Sequence, residues 1–498
     1  MIKTILVLGN GFDLAMGRST QYKDFLKFVN VFQEKIEKKS DIQKLKQFGS
    51  LGTIFTETNS TEPNFEKNIK TFLQIQEEQG LAKYSRNSII DYIKFIKNTE
   101  NWSDLEHRIS DLAEAIDYFR ENLEEYSEVF RVGKSYKHFF KEEFSFEEKN
   151  DFFTDIYEAL SLLITSPPLS REEAEDVYIE EIERFEELEN AYREKIKNFQ
   201  TEKNYYGLCF VLAKILSFAN YGETEPHSEL IEKINQHFIS ELQEITLLLE
   251  LYLINLDYED YKLNNKDYIP KNIKDFRNGN TVLSVLHKSH DDNWHKLWDI
   301  RKSYIITFNY THTAEQLLKI SNDNIHHVHG SIRSVLKGTS LDNFLFNNLQ
   351  DNSNLVFGIE DQNIENINSN LIEYQKFYQR ILKQTGSNYE TFFQKIENDF
   401  EENRDDNNHL NIIIFGHSVD PIDKEIFLNI FDLAKRKEKD YKFIFTYHDD
   451  KAKKSIVKNL AIILGKPRLI ELSGENRIVF IKADDQKTMA DELRRNTK

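Results

Sequence analysis

Apolar residues follow two different patterns along the chain. Short apolar runs of strand length occur at residues 2–8 and repeatedly after residue 300. From about residue 19 to 280, apolar side chains instead recur every three or four positions, as they do in helices. The later runs are SYIITF (303–308), IHHVHG (325–330), LVFGI (355–359), NIIIFG (411–416), YKFIFTY (441–447) and RIVFI (477–481). Helical segments separate most of these runs, which predicts a parallel sheet with helices on both faces.

The first run, residues 2–8, most naturally joins the later runs in one sheet. The predicted fold class is therefore α/β, with a split, Rossmann-like parallel sheet and a large all-helical insertion. The predicted α/β domain comprises residues 1–30 and 281–498, and the helical insertion comprises residues 31–280.

The insertion contains two local helix signals. Pro167-Pro168 interrupts the helical pattern, and Ser170 and Glu173 then form a capping-box pattern that predicts the start of a long acidic helix. A second strong helix is predicted over residues 236–256, where the sequence reads QHFISELQEITLLLELYLINL.

Composition restricts the class of protein. The 498 residues carry a net charge of −19, which argues against a surface that binds phosphates along a nucleic-acid duplex. The single cysteine, Cys209, excludes an internal disulfide and a Cys₄ zinc site within the chain. We expect a cytoplasmic protein, because the N-terminal run lacks the features of a signal peptide and no uncharged stretch reaches membrane-spanning length.

A glycine turn follows the first predicted strand. Gly9 and Gly11 allow a sharp turn into a short helix, whose N-terminal peptide groups suit a nucleotide phosphate. The turn departs from the dinucleotide fingerprint, because Leu14 stands where that pattern has its third glycine. The residues thus fit either a nucleotide site or a plain strand–turn–helix. Asp13 fits either a ribose ligand or a helix cap.

Polar motifs follow four of the predicted strands. Ligands of open parallel sheets bind outside the carboxyl ends of the strands, so we expect these motifs to converge on one site. The motifs are GNGFD (9–13), FNYTHTAE (308–315), HHVHGS (326–331) and FGHSVDPID (415–423).

Each motif also has a purely structural explanation. Asn309 could cap the following helix, His329 could be a core histidine, and the turn at Gly416 could be an ordinary strand–turn–helix connection. His326, His327 and His329 could bind a metal, but no supporting cysteine or carboxylate triad accompanies them, so no metal is expected.

The same motifs resemble, in the same order, those of the AbiH family of bacterial phage abortive-infection proteins. The resemblance is carried by LVLGNGFDLAMG…STQYKDF, ENWSDLEHRI with Trp102 and Glu106, ITFNYTHTAEQL, IHHVHGS, LVFGIED and IIFGHSVDPID. It implies an anti-phage effector that responds to an unidentified phage trigger. From about residue 110 to 280 the resemblance extends only to helical character.

The order of the strand-end motifs is also similar to that of the sirtuin-like NAD-consuming fold. This resemblance implies that Asn309 and His329 are catalytic, with His329 as the base. It implies NAD as the substrate, with Gly9, Gly11, Gly416 and Ser418 in the nucleotide site. Glu315 stands where related bacterial defence proteins often keep an acid. We expect the same site to include the neighbouring motif residues Asn10, Phe12, Asp13, Tyr310, Gly330, His417 and Asp420. One cysteine cannot build the zinc module of deacetylating sirtuins, so hydrolysis of the nicotinamide–ribose bond is the expected reaction.

Two other functions fit the sequence. The chain could be a sensor that binds NAD or a related nucleotide without turnover. It could also damage RNA or DNA, with Lys376, Arg380 and Lys383 as a local basic patch, although its net charge disfavours a nucleic-acid partner. No membrane partner is expected, and homo-oligomerisation is left open.

Overall fold

Two compact units make up the chain in this computed structural model. The structure describes residues 1–29, 87–96, 102–122, 207–208, 210–211, 215, 227–264, 303–318, 320–333, 353–359, 370–403, 408–436, 440–483 and 486–496. The first unit comprises Met1–Ser85, Thr246–Asp361 and Lys376–Lys498, and the second comprises Arg86–Ile245 and Gln362–Gln375. Residues 31 and 280, the predicted limits of the helical insertion, lie outside the described residues, and these limits stay a prediction.

Strands and helices alternate through the later part of the chain. The strands are β1 (Ile2–Leu8), β2 (Tyr304–Thr307), β3 (Ile325–His327), β4 (His409–Phe415), β5 (Asp440–Tyr447) and β6 (Ile478–Lys482). The helices are α1 (Asn10–Ala15), α2 (Ser88–Ile96), α3 (Trp102–Glu121), α4 (His227–Asn264), α5 (Thr313–Leu318), α6 (Lys376–Leu382), α7 (Tyr389–Glu402), α8 (Lys424–Lys435), α9 (Asp450–Leu464), α10 (Lys466–Gly474) and α11 (Gln486–Asn496).

The six described strands form one parallel sheet in the order β3-β2-β1-β4-β5-β6. β1 pairs with β4 along its whole length, from Ile2 opposite His409 to Leu8 opposite Phe415, and its second half pairs with β2. The strand order reverses between β1 and β4, as it does in doubly wound dinucleotide-binding sheets. The predicted α/β, Rossmann-like fold with a split sheet is therefore confirmed.

The sheet is buried on both faces, which explains why its strands read as nearly continuous apolar runs. In β1, Ile5 and Val7 face a core that α7, α8 and α9 cover. Leu6 and Leu8 point to the opposite face, because successive side chains of a strand alternate. There they pack with side chains of α1, α5 and α11.

The segment at residues 355–359 was predicted to be a strand, and this prediction is wrong. It forms no strand apart from an isolated bridge at Ile359, and side chains rather than a neighbouring strand satisfy much of its hydrogen bonding. Gln379 accepts a hydrogen bond from the Phe357 amide at 3.0 Å and donates one to the Phe357 carbonyl at 2.9 Å. Lys383 donates to the carbonyl oxygen of Leu355. The segment therefore serves as an anchoring loop outside the sheet.

Helices form the described part of the second unit. α2 is tied to α4 by the buried carboxylate of Glu241, which accepts hydrogen bonds from the main chain and side chain of Ser88. Asn370 donates to Asp117 of α3 at 2.9 Å. The helix predicted over residues 236–256 is confirmed, since it lies within α4.

Other predicted features of the insertion fall outside the described residues. These are the break at Pro167-Pro168, the capping box of Ser170 and Glu173, and Cys209. Among the helices that the structure describes, none is both long and apolar enough to cross a membrane.

Candidate functional site

The turns after β1 and β4 meet where the strand order reverses. The Gly9 amide donates to the Phe415 carbonyl at 3.0 Å, and the Gly11 amide donates to the Gly416 carbonyl at 2.8 Å. A Cβ atom at Gly9 would lie 2.6 Å from the Gly416 oxygen, and one at Gly11 would lie 2.6 Å from the Gly416 Cα. Gly416 also has a φ of +68°, which favours glycine. The three glycines thus allow two turns to pack main chain against main chain.

The other residues of the GNGFD turn hold α1 in place. Asn10 exchanges hydrogen bonds with Thr20, and the Phe12 ring packs edge-on against Phe415. Asp13 is buried and accepts a hydrogen bond from the Thr311 hydroxyl at 2.5 Å. The helix-cap explanation for Asp13 is wrong, because Gly9 occupies the N-cap of α1 and no side chain caps it. Asp13 instead joins α1 to the loop after β2.

Asn309 lies in the loop after β2 and is 6% exposed. Its amide donates to the Thr307 hydroxyl at 3.1 Å, and its carbonyl oxygen lies 2.8 Å from Nδ1 of His327. Within the part of the chain that the structure describes, the Asn309 carboxamide forms no hydrogen bond. α5 begins only at Thr313, so Asn309 does not cap it.

His327 links Asn309 to α5. Its Nδ1 contacts the Asn309 carbonyl, and its Nε2 lies 2.7 Å from Oε1 of Glu315. Glu315 thus supports the Asn309 main chain through His327. Its other carboxylate oxygen, Oε2, is buried and has no hydrogen-bond partner among the described residues.

A buried polar cluster surrounds Asp423. Its Oδ1 lies 3.0 Å from Nε2 of His329 and accepts a hydrogen bond from Nζ of Lys376 at 3.1 Å. Its Oδ2 lies 3.5 Å from Nε2 of His417. The Phe308 ring packs against both imidazoles, at centroid distances of 5.4 Å from His329 and 4.2 Å from His417. We call Asp423, His329, Lys376 and His417 the Asp423 cluster.

Electrostatics set the charges in the Asp423 cluster. Burial and the nearby Lys376 lower the pKa of His329 from 6.5 to about 4, although Asp423 opposes this shift. Burial alone would raise the pKa of Asp423, but Lys376 and His329 hold it well below its usual value. At neutral pH, His329 is therefore uncharged and Asp423 is a carboxylate. Nδ1 of His329 has no hydrogen-bond partner among the described residues.

His417 is held by an unusual turn after β4. The Val419 amide donates to Nδ1 of His417 at 2.8 Å, so Nδ1 is the acceptor and Nε2 faces Asp423. Val419 has a φ of +55°, a conformation that costs a β-branched residue free energy. This backbone strain lies directly beside the Asp423 cluster.

The anchoring loop at residues 355–359 packs against the loop after β3. Gly330 has a φ of +75°, and a Cβ there would lie 2.4 Å from the Asn354 carbonyl oxygen. The main chain of the protein therefore occupies the space beside Gly330. Tyr310 donates from its hydroxyl to the Val356 carbonyl at 2.9 Å. His329 lies two residues after the end of β3, in this loop.

The remaining candidates lie at the start of the segment before α8. Ser418 is exposed, and its carbonyl oxygen accepts a hydrogen bond from Asn459 at 3.1 Å. Asp420 caps the short 3₁₀ helix Pro421–Asp423 by accepting from the Ile422 amide at 3.2 Å. Asp420 thus shapes the turn that brings Asp423 to the cluster.

Sequence reasoning missed two members of the Asp423 cluster as site residues. Asp423 belongs to the FGHSVDPID motif, so its motif was a usable signal. Lys376 gave no signal and was assigned to a basic surface patch with Arg380 and Lys383. That assignment is wrong, because Lys376 is only 2% exposed and Lys383 is half-buried. Within the described ranges, no group of three or more His, Cys, Asp or Glu side chains is arranged to hold a metal.

Comparison with known proteins gives one family. The model of the family "Bacteriophage abortive infection AbiH" matches two overlapping stretches of the chain, residues 5–224 and 169–447. Together these stretches run from β1 to the end of β5 and include every candidate site residue. No curated protein and no solved structure matches the chain.

Proposed function

The chain belongs to the AbiH family of bacteriophage abortive-infection proteins, and we propose that it acts in this defence by hydrolysing the nicotinamide–ribose bond of NAD. The proposal places NAD at the carboxyl edge of the sheet, with Asn309 and His329 as catalytic residues. The proposal draws on the resemblance between the order of these motifs and that of the sirtuin-like NAD-consuming fold.

The topology of the sheet supports a nucleotide at this edge. The strand order and its reversal between β1 and β4 are those of sheets that bind dinucleotides in the crevice beside the reversal. Glycine turns end both strands at that point, at Gly9 and Gly416. In such sheets the ligand lies in the crevice beside these turns, and the proposal places NAD there.

The observation that carries the proposal is a pair of polar groups that the fold itself leaves unused. They are the Asn309 carboxamide and Nδ1 of His329, neither of which is hydrogen-bonded within the described chain. Both residues follow neighbouring strands, β2 and β3. Since buried polar atoms are nearly always paired, the buried Nδ1 of His329 supports a site for a polar ligand at this edge, and the unbonded Asn309 carboxamide could serve the same ligand.

The proposed reaction requires little base strength. The C1′–N1 bond breaks, its electron pair leaves with nicotinamide, and the ribose becomes oxocarbenium-like at C1′. Asn309 orients the water or a ribose hydroxyl. Water then adds to C1′ and gives its proton to Nδ1 of His329, which is uncharged because its pKa is lowered to about 4. A weak base suffices, since the oxocarbenium carbon is strongly electrophilic.

The test measures nicotinamide release from NAD by the purified protein, with and without lysate of phage-infected cells. We expect His329→Ala to lose about 10²–10⁴-fold in kcat, the usual contribution of general acid–base catalysis. Asn309→Ala should lose about 10²-fold or more, because a misplaced reacting group costs that much. Matched controls are Asn429→Ala, whose carboxamide binds Tyr389, and His409→Ala, whose ring pairs with Asp440 at the amino end of the strands. Both controls should retain the activity.

Two results would contradict the proposal. One is a wild-type protein that never consumes NAD, and the other is full activity in both site variants. Binding of NAD without nicotinamide release would instead support a nucleotide sensor. Salt-dependent binding and cleavage of RNA would support the nucleic-acid alternative.

A further inference from the structure

Within the Asp423 cluster, the contact between Asp423 and His329 determines where the His329 ring carries its proton. The His329 imidazole is uncharged and its Nε2 faces a carboxylate oxygen, which can only accept a hydrogen bond. Nε2 must therefore carry the ring proton. It follows that Nδ1 bears the lone pair, and this is the atom left without a partner.

The other contacts of Asp423 make this assignment unambiguous. Lys376 donates to the same oxygen that His329 contacts, so the carboxylate stays ionised and accepts from both groups. His417 cannot compete as a proton acceptor, because the Val419 amide already occupies its Nδ1. All donors in the cluster thus point to Asp423.

We propose that Asp423 is a positioning residue that holds His329 in the Nε2–H tautomer, so that Nδ1 receives the proton in the hydrolysis proposed above. This inference rests on the proposed function for its catalytic meaning. Asp423 itself does not touch the substrate in this scheme. It sets which ring nitrogen is basic and which way the ring is turned, as the aspartate of a catalytic triad does for its histidine.

The tautomer can be observed without any substrate. We would label histidine with ¹⁵N and assign the His329 signals from their loss in His329→Asn. In the wild type, Nε2 should have the shift of a protonated ring nitrogen and Nδ1 that of an unprotonated one. In Asp423→Asn, this single tautomer should be lost. An Nδ1–H tautomer in the wild type would overturn the proposal.

Kinetics give the second readout. Asp423→Asn should lower kcat for nicotinamide release by about 10²-fold or more while changing KM little, since the missing group acts only on the base. The matched control is Asp440→Asn, which removes the carboxylate of another Asp–His pair, 2.7 Å from His409. Its kcat should equal that of the wild type. Unchanged kcat in Asp423→Asn would overturn the proposal.

A charge-balanced variant addresses folding. Asp423→Asn leaves the buried Lys376 without its carboxylate. We therefore compare Asp423→Asn with the double variant Asp423→Asn/Lys376→Met, which removes both charges. This variant should fold and should also lose the His329 tautomer and the activity. If it keeps both, the proposal is wrong. If the wild type releases no nicotinamide, the proposed function fails, but the ¹⁵N spectrum still decides whether Asp423 sets the tautomer.

Discussion

Two buried histidines should make the stability of this protein fall in mildly acidic solution. Burial lowers the pKa of His326 and of His329 from 6.5 to about 4. The unfolded chain therefore takes up protons at both positions as the pH falls below 6.5, while the folded protein does not until about pH 4. The free energy of unfolding should drop by about 1.4 kcal/mol per pH unit for each histidine in this window.

Thermal unfolding at several pH values between 7 and 4.5 would measure this dependence. His326→Phe should roughly halve it, because the ring already packs 5.4 Å from that of Tyr389 and its Nε2 has no hydrogen-bond partner in the described chain. The control is His448→Phe, which removes a histidine from an exposed position rather than from the core. If the stability of the wild type, His326→Phe and His448→Phe depended equally on pH, the prediction would be contradicted.

The close packing of the glycine turns after β1 and β4 predicts that alanine at position 11 destabilises the protein, although helices usually favour alanine over glycine. Gly11 lies in α1, where alanine would normally be favoured by about 1 kcal/mol. Here the added Cβ would lie 2.6 Å from the Gly416 Cα and 2.9 Å from its oxygen. Gly11→Ala should therefore destabilise the protein by about 1–3 kcal/mol, the usual cost of overpacking.

The chain offers a matched control for this prediction. Gly474 ends α10, and a Cβ there would have no atom within 4 Å. Gly474→Ala should be neutral or slightly stabilising in the same urea-unfolding measurement. If Gly11→Ala were as stable as Gly474→Ala, the close packing of the two turns would not be required for the fold.

The same elements show what the sequence could predict about the fold. The runs at β1, β4 and β5 were recognisable because a strand covered on both faces is apolar at nearly every position. The run at residues 355–359 is just as apolar but lies outside the sheet. Gln379 and Lys383 donate hydrogen bonds to its main chain. These contacts depend on how α6 is placed in the folded chain, so the local apolar pattern cannot reveal them.

The convergence of the strand-end motifs could be predicted for a different reason. Asn309 and His329 stand at strand ends, and sheet topology alone brings strand ends to one edge. The pairing of His329 with Asp423 spans 94 residues, and that of Asp423 with Lys376 spans 47. The FGHSVDPID motif marks Asp423 as a residue of interest, but only the folded chain shows that Asp423 contacts His329 and Lys376.

The protein as a whole should protect a bacterial population at the expense of infected cells. The chain belongs to an abortive-infection family, and the proposed reaction would deplete NAD in the infected cell. In a phage-sensitive strain, expression of the wild type should therefore reduce phage yield. Mass spectrometry of the infected cells should show falling NAD together with rising nicotinamide.

Variants of the whole protein would connect defence to chemistry. Asn309→Ala should abolish both protection and NAD loss, because it removes a proposed catalytic group. Its expression should equal that of the wild type, because the carboxamide makes no structural hydrogen bond in the described chain. Asn429→Ala, the control, should retain both. Protection by Asn309→Ala without NAD loss would show that the defence works by another reaction. NAD loss in uninfected cells would show that the enzyme is active without a phage trigger. The site would then be complete in the resting protein.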